Sequence, residues 1–339
     1  MLAAFYQAPN RVDVRTTARP VADRSEVIVR VAACGICGTD QHILHGGFKA
    51  TSYPFIGGHE TVGTVVEVGT NVEAVRIGDR VAIDPGVFCG FCFYCQRRQG
   101  NHCERWSSIG VTKDGGFAEF VRAPQSNVYQ IGDLAFERAA FIEPISCVVF
   151  ALQRMRIPVG VNALIYGAGT MGQLMLSLVK HGNAAAVTIV DTKPAKLAAA
   201  KARGANEVVL ADAQTDATLR DLSPTGFDVI IDCTGVPSVV EHMFVHARFG
   251  AKLLFFGVNP QDARISLSPY DVYSRDLEIY GSFALAFTFH ESIALLRSGT
   301  VEVDSLVSDR LPIARFSEAL ALAGSGEAMK VLIVPEHAD

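Results

Sequence analysis

The hydrophobic rhythm of the chain changes twice. Up to about residue 145, short valine-rich runs such as residues 26–32 and 63–68 read as strands. Gly35, Gly38, Gly46, Gly47, Gly57, Gly58, Gly63 and Gly69 punctuate them, which predicts an irregular, mostly β domain with functional loops. Solid apolar runs then alternate with segments of helical period. Residues 162–166 read as a buried strand, 173–181 as a helix and 187–190 as a second strand. Residues 194–203 read as a helix with Pro194 in its first turn. Residues 227–231 and 252–256 supply further apolar strands. Strands alternating with helices predict a parallel sheet covered on both faces. After Gly281 the elements shorten again, to helices at 289–297 and 316–323 and a last strand at 330–334. The sequence holds no internal repeat or low-complexity tract.

A length of 339 residues corresponds to about two domains. Hydrophobic residues at 49% and charged residues at 19% give ample core and exclude global disorder. A net charge of −5 gives no overall electrostatic case for nucleic acid or an acidic membrane surface. No run approaches the ~18 consecutive apolar residues of a membrane span. The start lacks a basic region followed by an apolar stretch, so a cytoplasmic protein is the expectation. In that compartment, eight cysteines read as metal ligands or free thiols rather than disulfides.

Four of them form the most specific local signal, Cys89-x2-Cys92-x2-Cys95-x7-Cys103. Four closely spaced thiolates suit a tetrahedral structural zinc with every position filled by protein. An iron–sulfur cluster is the rival, since thiolates serve both. A second set comprises Cys34, Cys37, Thr39, Asp40 and His42 in one motif, and Gly57-Gly58-His59-Glu60 in another. A soft thiolate, an imidazole and a carboxylate in one domain suit zinc with an open position.

Gly167-Ala168-Gly169-Thr170-Met171-Gly172 fits Gly-x-Gly-x-x-Gly between an expected strand and helix. Gly167 permits the tight turn, Gly169 the approach of a pyrophosphate, and Gly172 close helix–strand packing. The phosphates then meet the positive end of the helix, where Thr170 and Met171 lie. Asp191, ending the next strand, is the expected ribose acid and favours NAD over NADP. Lys193 and Lys196 pull the other way, because a lysine can meet a 2′-phosphate.

Taken in order, these motifs resemble the zinc-dependent medium-chain alcohol dehydrogenase family over essentially the whole chain. The resemblance implies an α/β protein in three parts. These are a GroES-like, mostly β catalytic domain at 1–145 with its structural zinc lobe at 89–103, a Rossmann, doubly wound parallel-sheet NAD-binding domain at 146–280, and a return to the catalytic domain at 281–339. It makes Cys37, not Cys34, the catalytic zinc ligand, with His59 and Glu60, and leaves Cys34 a buried small residue. Glu143, in Ala140-Phe141-Ile142-Glu143-Pro144, stands where many simple alcohol dehydrogenases have a zinc-binding cysteine. That resembles the polyol (sorbitol, xylitol, arabinitol) branch. Charge counting argues against Glu60 and Glu143 both being tight ligands, because two carboxylates beside Cys37 would leave the site net negative. One of them then holds zinc-bound water, and the sequence leaves open which.

The resemblance also places Thr234, Gly257, Val258, Ser282 and Phe283 near the cofactor, and makes Thr39 and then His42 the path by which the alcohol proton leaves. His45 competes with His42 but lies outside the motif. The implied reaction is oxidation of a secondary alcohol to the ketone with hydride transfer to NAD, zinc lowering the alcohol pKa. A small polyol or vicinal diol is the expected substrate. Ala284-Leu285 replaces the Arg-Tyr pair of animal sorbitol dehydrogenases, which argues against a six-carbon polyol. The rivals are an L-threonine 3-dehydrogenase, another secondary-alcohol dehydrogenase, and a non-catalytic NAD- or zinc-binding protein. Cys37, His59, Thr39 and the glycine fingerprint argue against the last. The family implies a homotetramer or homodimer, and the sheet edge at 276–280 is the candidate pairing site. His242, His246, His290 and His337 show no partner in sequence and read as ordinary surface or packing histidines.

Overall fold

The computed structural model describes residues 1–48, 50–182 and 184–336, so His337 lies outside it. The chain divides into two compact units, Met1–Ser146 with Ala286–Asp339, and Cys147–Leu285. Among the described residues no helix is long and apolar enough to cross a membrane.

The first unit is built on two long antiparallel strands, Glu26–Gly35 and Glu60–Val68, paired Val31 to Gly63, Cys34 to Thr61 and Gly35 to Glu60. They continue through Arg80–Ile83 to Val128–Gln130 on one side, and through Lys330–Ile333 to Val307–Leu311 on the other. Phe120–Pro124 also pairs with Glu26–Gly35. A second sheet joins Arg11–Thr16, Leu2–Ala8 and Phe55–Ile56. Tyr6, Phe117 and Phe316 fill its core, Tyr6 stacking on Phe55 at 5.5 Å between centroids. The register has a direct consequence for the site. A Cβ on Gly35 would meet Glu60 Oε2 at 1.8 Å, so glycine there is what lets the Glu60 side chain turn inward across the strand pair.

The second unit carries one six-stranded parallel sheet. Its strands are β1 (Val161–Tyr166), β2 (Ala184–Asp191), β3 (Glu207–Leu210), β4 (Phe227–Asp232), β5 (Ala247–Phe255) and β6 (Glu278–Gly281). The spatial order is β3-β2-β1-β4-β5-β6, with every pairing parallel. This is the doubly wound order of a dinucleotide-binding sheet. β1 and β4 are almost wholly buried, as strands covered on both faces must be. β6 forms one edge of the sheet.

Helices Thr170–Gly182, Pro194–Ala202, Phe289–Arg297 and Phe316–Gly324 lie where the apolar period places them. Gly38–Leu44, Ile142–Met155, Thr215–Leu222, Pro237–His242, Pro269–Ser274 and the strand β3 were not expected. Most are too short or too glycine- or proline-marked to show a period. Ile142–Met155 opens on a proline in its first turn, which suits a helix start as well as a loop.

Candidate metal centres and dinucleotide site

Cys37 caps the helix Gly38–Leu44, and its backbone N–H donates to Asp40 Oδ2 at 2.9 Å. His59 follows Gly58, whose φ of +98° favours glycine and whose Cβ would strike the Phe117 nitrogen at 2.7 Å. This turn and the Gly35–Glu60 register bring ligand atoms of Cys37, His59 and Glu60 within 4.8 Å of one another. Around them stands a charged shell in the interior. Asp40 and Glu60 are fully buried and His59 nearly so. Lys330 Nζ donates to both Glu60 oxygens, at 2.7 and 2.6 Å, and to the Ile36 carbonyl at 3.3 Å.

Burial lifts the Asp40 carboxyl to about 6 although His59 opposes it. Burial disfavours the His59 imidazolium, yet Asp40, Cys37 and Glu143 together push its pKa well above the ordinary histidine value. The same negative surroundings, Glu60 first, hold Lys330 above the ordinary lysine range against burial. The pocket thus gathers thiolate, carboxylates and imidazole around a place that favours a cation. Two of its buried atoms, Asp40 Oδ1 and His59 Nδ1, lack a hydrogen-bond partner among the described residues and face each other at 3.8 Å. A carboxylate beside Nδ1 is the usual support of a metal-bound histidine. The residues fit a zinc ion with an open position.

Glu143 is half-buried, and its charge acts on both His59 and Lys330. Thr39 Oγ1 lies 3.8 Å from Cys37 Sγ, and His42 stands three residues on, the spacing that shares a helix face. His45 is exposed, with Nδ1 2.7 Å from Asn10 Oδ1. Cys34 is wholly buried beside Thr61, and burial pushes its thiol well up. Lys330 and the role of Asp40 were missed. A lysine heading the apolar strand Lys330–Ile333 was the signal for the first. Asp40 stood inside the cysteine motif without an assigned part.

In the lobe, Sγ atoms of Cys89, Cys92, Cys95 and Cys103 lie within 4.8 Å of one another, and all four cysteines are free. The Cys89–Cys95 and Cys92–Cys103 sulfur separations are both 3.9 Å. A tetrahedron with ~2.3 Å zinc–sulfur bonds has an edge of about 3.8 Å. The lobe therefore fits one tetrahedral ion, and the sulfurs stand too close together to enclose a multi-iron cluster.

In the second unit the glycine loop follows β1. Gly167 has φ +95°, and a Cβ on Gly172 would strike the Gly167 carbonyl at 1.8 Å. A Cβ on Gly169 would meet nothing within 4 Å, so the loop is open on the side where a pyrophosphate would approach. Thr170 and Met171, both half-buried, occupy the first turn of Thr170–Gly182. Asp191 accepts from the Ala168 and Lys193 backbone N–H groups at 2.7 and 2.8 Å, which ties the end of β2 to the loop. Lys196 is half-buried one turn beyond.

Asp232, missed in the sequence and fully buried, organises the next two loops. Its side chain accepts from the Thr234 N–H and hydroxyl and from Gly235 N–H, and its carbonyl accepts from Gly257 N–H. Gly235 and Gly257 are pressed together, a Cβ on Gly257 meeting Gly235 N at 2.1 Å. Thr234 and Val258 are left exposed at these strand ends. Phe283 is exposed, and the buried Ser282 Oγ has no partner among the described residues. An open loop, a fixed acid and an orphaned hydroxyl fit a dinucleotide.

Residues 23–133 match the family described as the alcohol dehydrogenase GroES-like domain, and residues 170–298 match the zinc-binding dehydrogenase family. Fold and matches define one class, and the chain belongs to the zinc-dependent medium-chain alcohol dehydrogenases. It is 37% identical to D-arabinitol dehydrogenase 1 of Uromyces fabae over 99% of this chain and 97% of that one. It is 36% identical to D-altritol 5-dehydrogenase of Agrobacterium fabrum, over 87% and 88% of the two chains. An L-threonine 3-dehydrogenase of Paraburkholderia phymatum is 31% identical over 98% of each. Among solved structures, a zinc-binding dehydrogenase of Sinorhizobium meliloti 1021 bound to NADP superposes with a TM-score of 0.94 at 31% identity, covering 98% of this chain and 99% of that one. An Escherichia coli CFT073 protein, rspB, complexed with NADH gives 0.92 at 27% identity over 98% and 99%.

Proposed function

We propose that the protein oxidises one secondary hydroxyl of a small polyol or vicinal diol to the ketone, with NAD as oxidant. The observation that carries this is the charge of the pocket. Asp40, Glu60 and Glu143 converge there, and the cation beside them, Lys330, is buried with both of its short contacts on Glu60. A neutral polyhydroxylated substrate suits such a pocket, because carboxylates accept hydrogen bonds from extra hydroxyls. The anionic carboxylate of threonine would meet repulsion. The similarity to arabinitol and altritol dehydrogenases supports the same reading.

Cys37, His59 and Glu60 would hold the catalytic zinc, and Cys89, Cys92, Cys95 and Cys103 the structural one. When bound, the catalytic zinc acidifies the substrate alcohol, and the nicotinamide takes up the hydride. The Asp40 charge, 3.8 Å from Nδ1, orients the His59 ring. Lys330 neutralises Glu60 without exhausting it, since a carboxylate offers about four lone-pair sites. Lys330 offsets one glutamate charge: a dication, one thiolate, Asp40, Glu60 and Glu143 sum to −1 with it and −2 without it, so the pocket stays mildly negative with both glutamates ionised. Glu143 accepts a hydrogen bond from a substrate hydroxyl. The Thr39 hydroxyl receives the released proton and passes it to His42, which faces the same side of the helix. Asp191 accepts from the ribose hydroxyls and repels a 2′-phosphate, which sets the preference for NAD. Work in the cytoplasm as a homo-oligomer belongs to the same proposal.

The test is Glu143→Gln with zinc content measured alongside. A fall in kcat/KM for polyols, with turnover of a simple secondary alcohol and the zinc count retained, supports the assignment. Equal loss for both alcohols together with loss of one zinc makes Glu143 a metal ligand instead.

A further inference from the structure

His242 and His246 are not the unpartnered histidines that the sequence suggests. Asp216 lies in the first turn of the helix Thr215–Leu222, after β3. His242 ends the helix Pro237–His242, after β4, and His246 follows the single turn Met243–Val245. Spacing of four puts both rings on one side, with centroids 5.5 Å apart. Their Nε2 atoms lie 2.6 and 3.0 Å from the same oxygen, Asp216 Oδ1. All three donor atoms fall within 4.8 Å of one another.

An independent observation comes from β1. Tyr166, its last residue, is 5% exposed, and its hydroxyl has no hydrogen-bond partner among the described residues. The charge that acts on it is that of Asp216. A buried phenol left unpartnered within the field of the Asp216 carboxylate is what a water on a bound ion would satisfy.

We propose that Asp216, His242 and His246 form a further transition-metal site on the dinucleotide-binding unit, taking Zn²⁺ or a similar borderline ion such as Co²⁺, Ni²⁺ or Cu²⁺. Two imidazoles and one carboxylate select these over Ca²⁺ or Mg²⁺. With bonds near 2.1 Å, a tetrahedral nitrogen–oxygen edge is about 3.4 Å, so the donors must part by under ~1 Å. The His242 side chain, 43% exposed, is free to make that shift. His246 is buried, which disfavours its charged form and holds its pKa below the ordinary histidine value. The opposing charge is Arg220, which acts on His246 and whose Nε donates to the Asp216 carbonyl at 3.2 Å. The ion would staple the connection after β3 to the one after β4. The Asp216 carboxylate acts on Tyr166, the last residue of β1 before Gly167. This inference stands whatever alcohol the enzyme oxidises.

The test counts zinc per chain by elemental analysis of the full-length protein equilibrated with buffered free Zn²⁺. Three ions per wild-type chain are expected, one for each ligand cluster. His242→Ala should hold two and keep wild-type NADH formation. Asp216→Asn should give the same count, which covers a folding defect in either variant. Co²⁺ added to the two-zinc protein should give a visible d–d band in wild type that His242→Gln lacks. Two ions per wild-type chain at every free Zn²⁺ concentration, or three in both wild type and variants, would overturn the site.

Discussion

Lys330→Met isolates the largest electrostatic commitment in the catalytic unit. The Lys330 ammonium sits 2.6 and 2.7 Å from the two oxygens of Glu60, and the residues are 3% and 0% exposed. Methionine keeps most of the volume and removes only the charge. Removing one partner of a buried pair costs about 3–5 kcal/mol, because the other charge is left in a poor solvent. The escape route is uptake of a proton, and for an ordinary glutamate at neutral pH that costs about 4 kcal/mol. Both routes give the same size, so the variant should lose roughly 4 kcal/mol. Removing both charges with Glu60→Gln and Lys330→Met should restore most of it, since no ion is left unpaired. Guanidinium unfolding followed by the fluorescence of Trp106 is the assay. Trp106 is the chain's one tryptophan and lies in the same unit as the pair. The three proteins are compared with the catalytic site kept free of zinc, because Glu60 is itself a proposed ligand and a bound dication would pair its charge. A single variant within 1 kcal/mol of wild type, or a double variant as damaged as the single, would refute the reasoning.

Other expected outcomes follow the same logic. Burial lifts the Asp84 carboxyl from 3.8 to about 7 against the Gly86 N–H that opposes it. Its folded pKa is raised, so the stability it contributes is present below pH 3.8 and drains away as pH rises toward 7, by roughly 4 kcal/mol. Asp84→Asn should flatten that part of the curve, and parallel pH–stability curves for the two proteins would contradict it. Gly172→Ala, with its Cβ 1.8 Å from the Gly167 carbonyl, should disrupt the loop and the fold around it. Gly169→Ala, with open space, should fold normally yet bind NADH more weakly, as fluorescence titration would read. Asp191→Ala should raise the KM for NAD by about 10–100-fold, the worth of hydrogen bonds to a charged group, and initial rates against NAD concentration check it.

The legible parts of this protein were those whose chemistry is local in sequence. The four cysteines of the lobe span fifteen positions, and the close gathering of their sulfurs follows from that spacing. The glycine fingerprint was legible because each glycine answers a separate steric demand, which the Gly172–Gly167 approach shows. Lys330 was not legible in the same way. Its partner Glu60 lies 270 positions earlier, and only the strand pairing Lys330–Ile333 to Glu26–Gly35 to Glu60–Val68 joins them. That omission mattered, because the charge count that set Glu60 against Glu143 lacked its cation. Asp216 likewise stands 26 and 30 positions from His242 and His246, and nothing in the local pattern connects them. Short helices such as Gly38–Leu44 were invisible because seven residues around a glycine carry no apolar period.

Oxidation of a neutral polyhydroxylated alcohol with NAD is read most directly from initial rates of NADH formation at 340 nm with zinc-replete protein. The substrates would be polyols of three to six carbons, vicinal diols, a simple secondary alcohol and L-threonine, each with NAD and with NADP. The highest kcat/KM is expected for a short polyol or diol with NAD. Turnover of L-threonine above every polyol would contradict it, because the carboxylate-lined pocket around Glu60 and Glu143 would then be binding the very charge it is argued to repel.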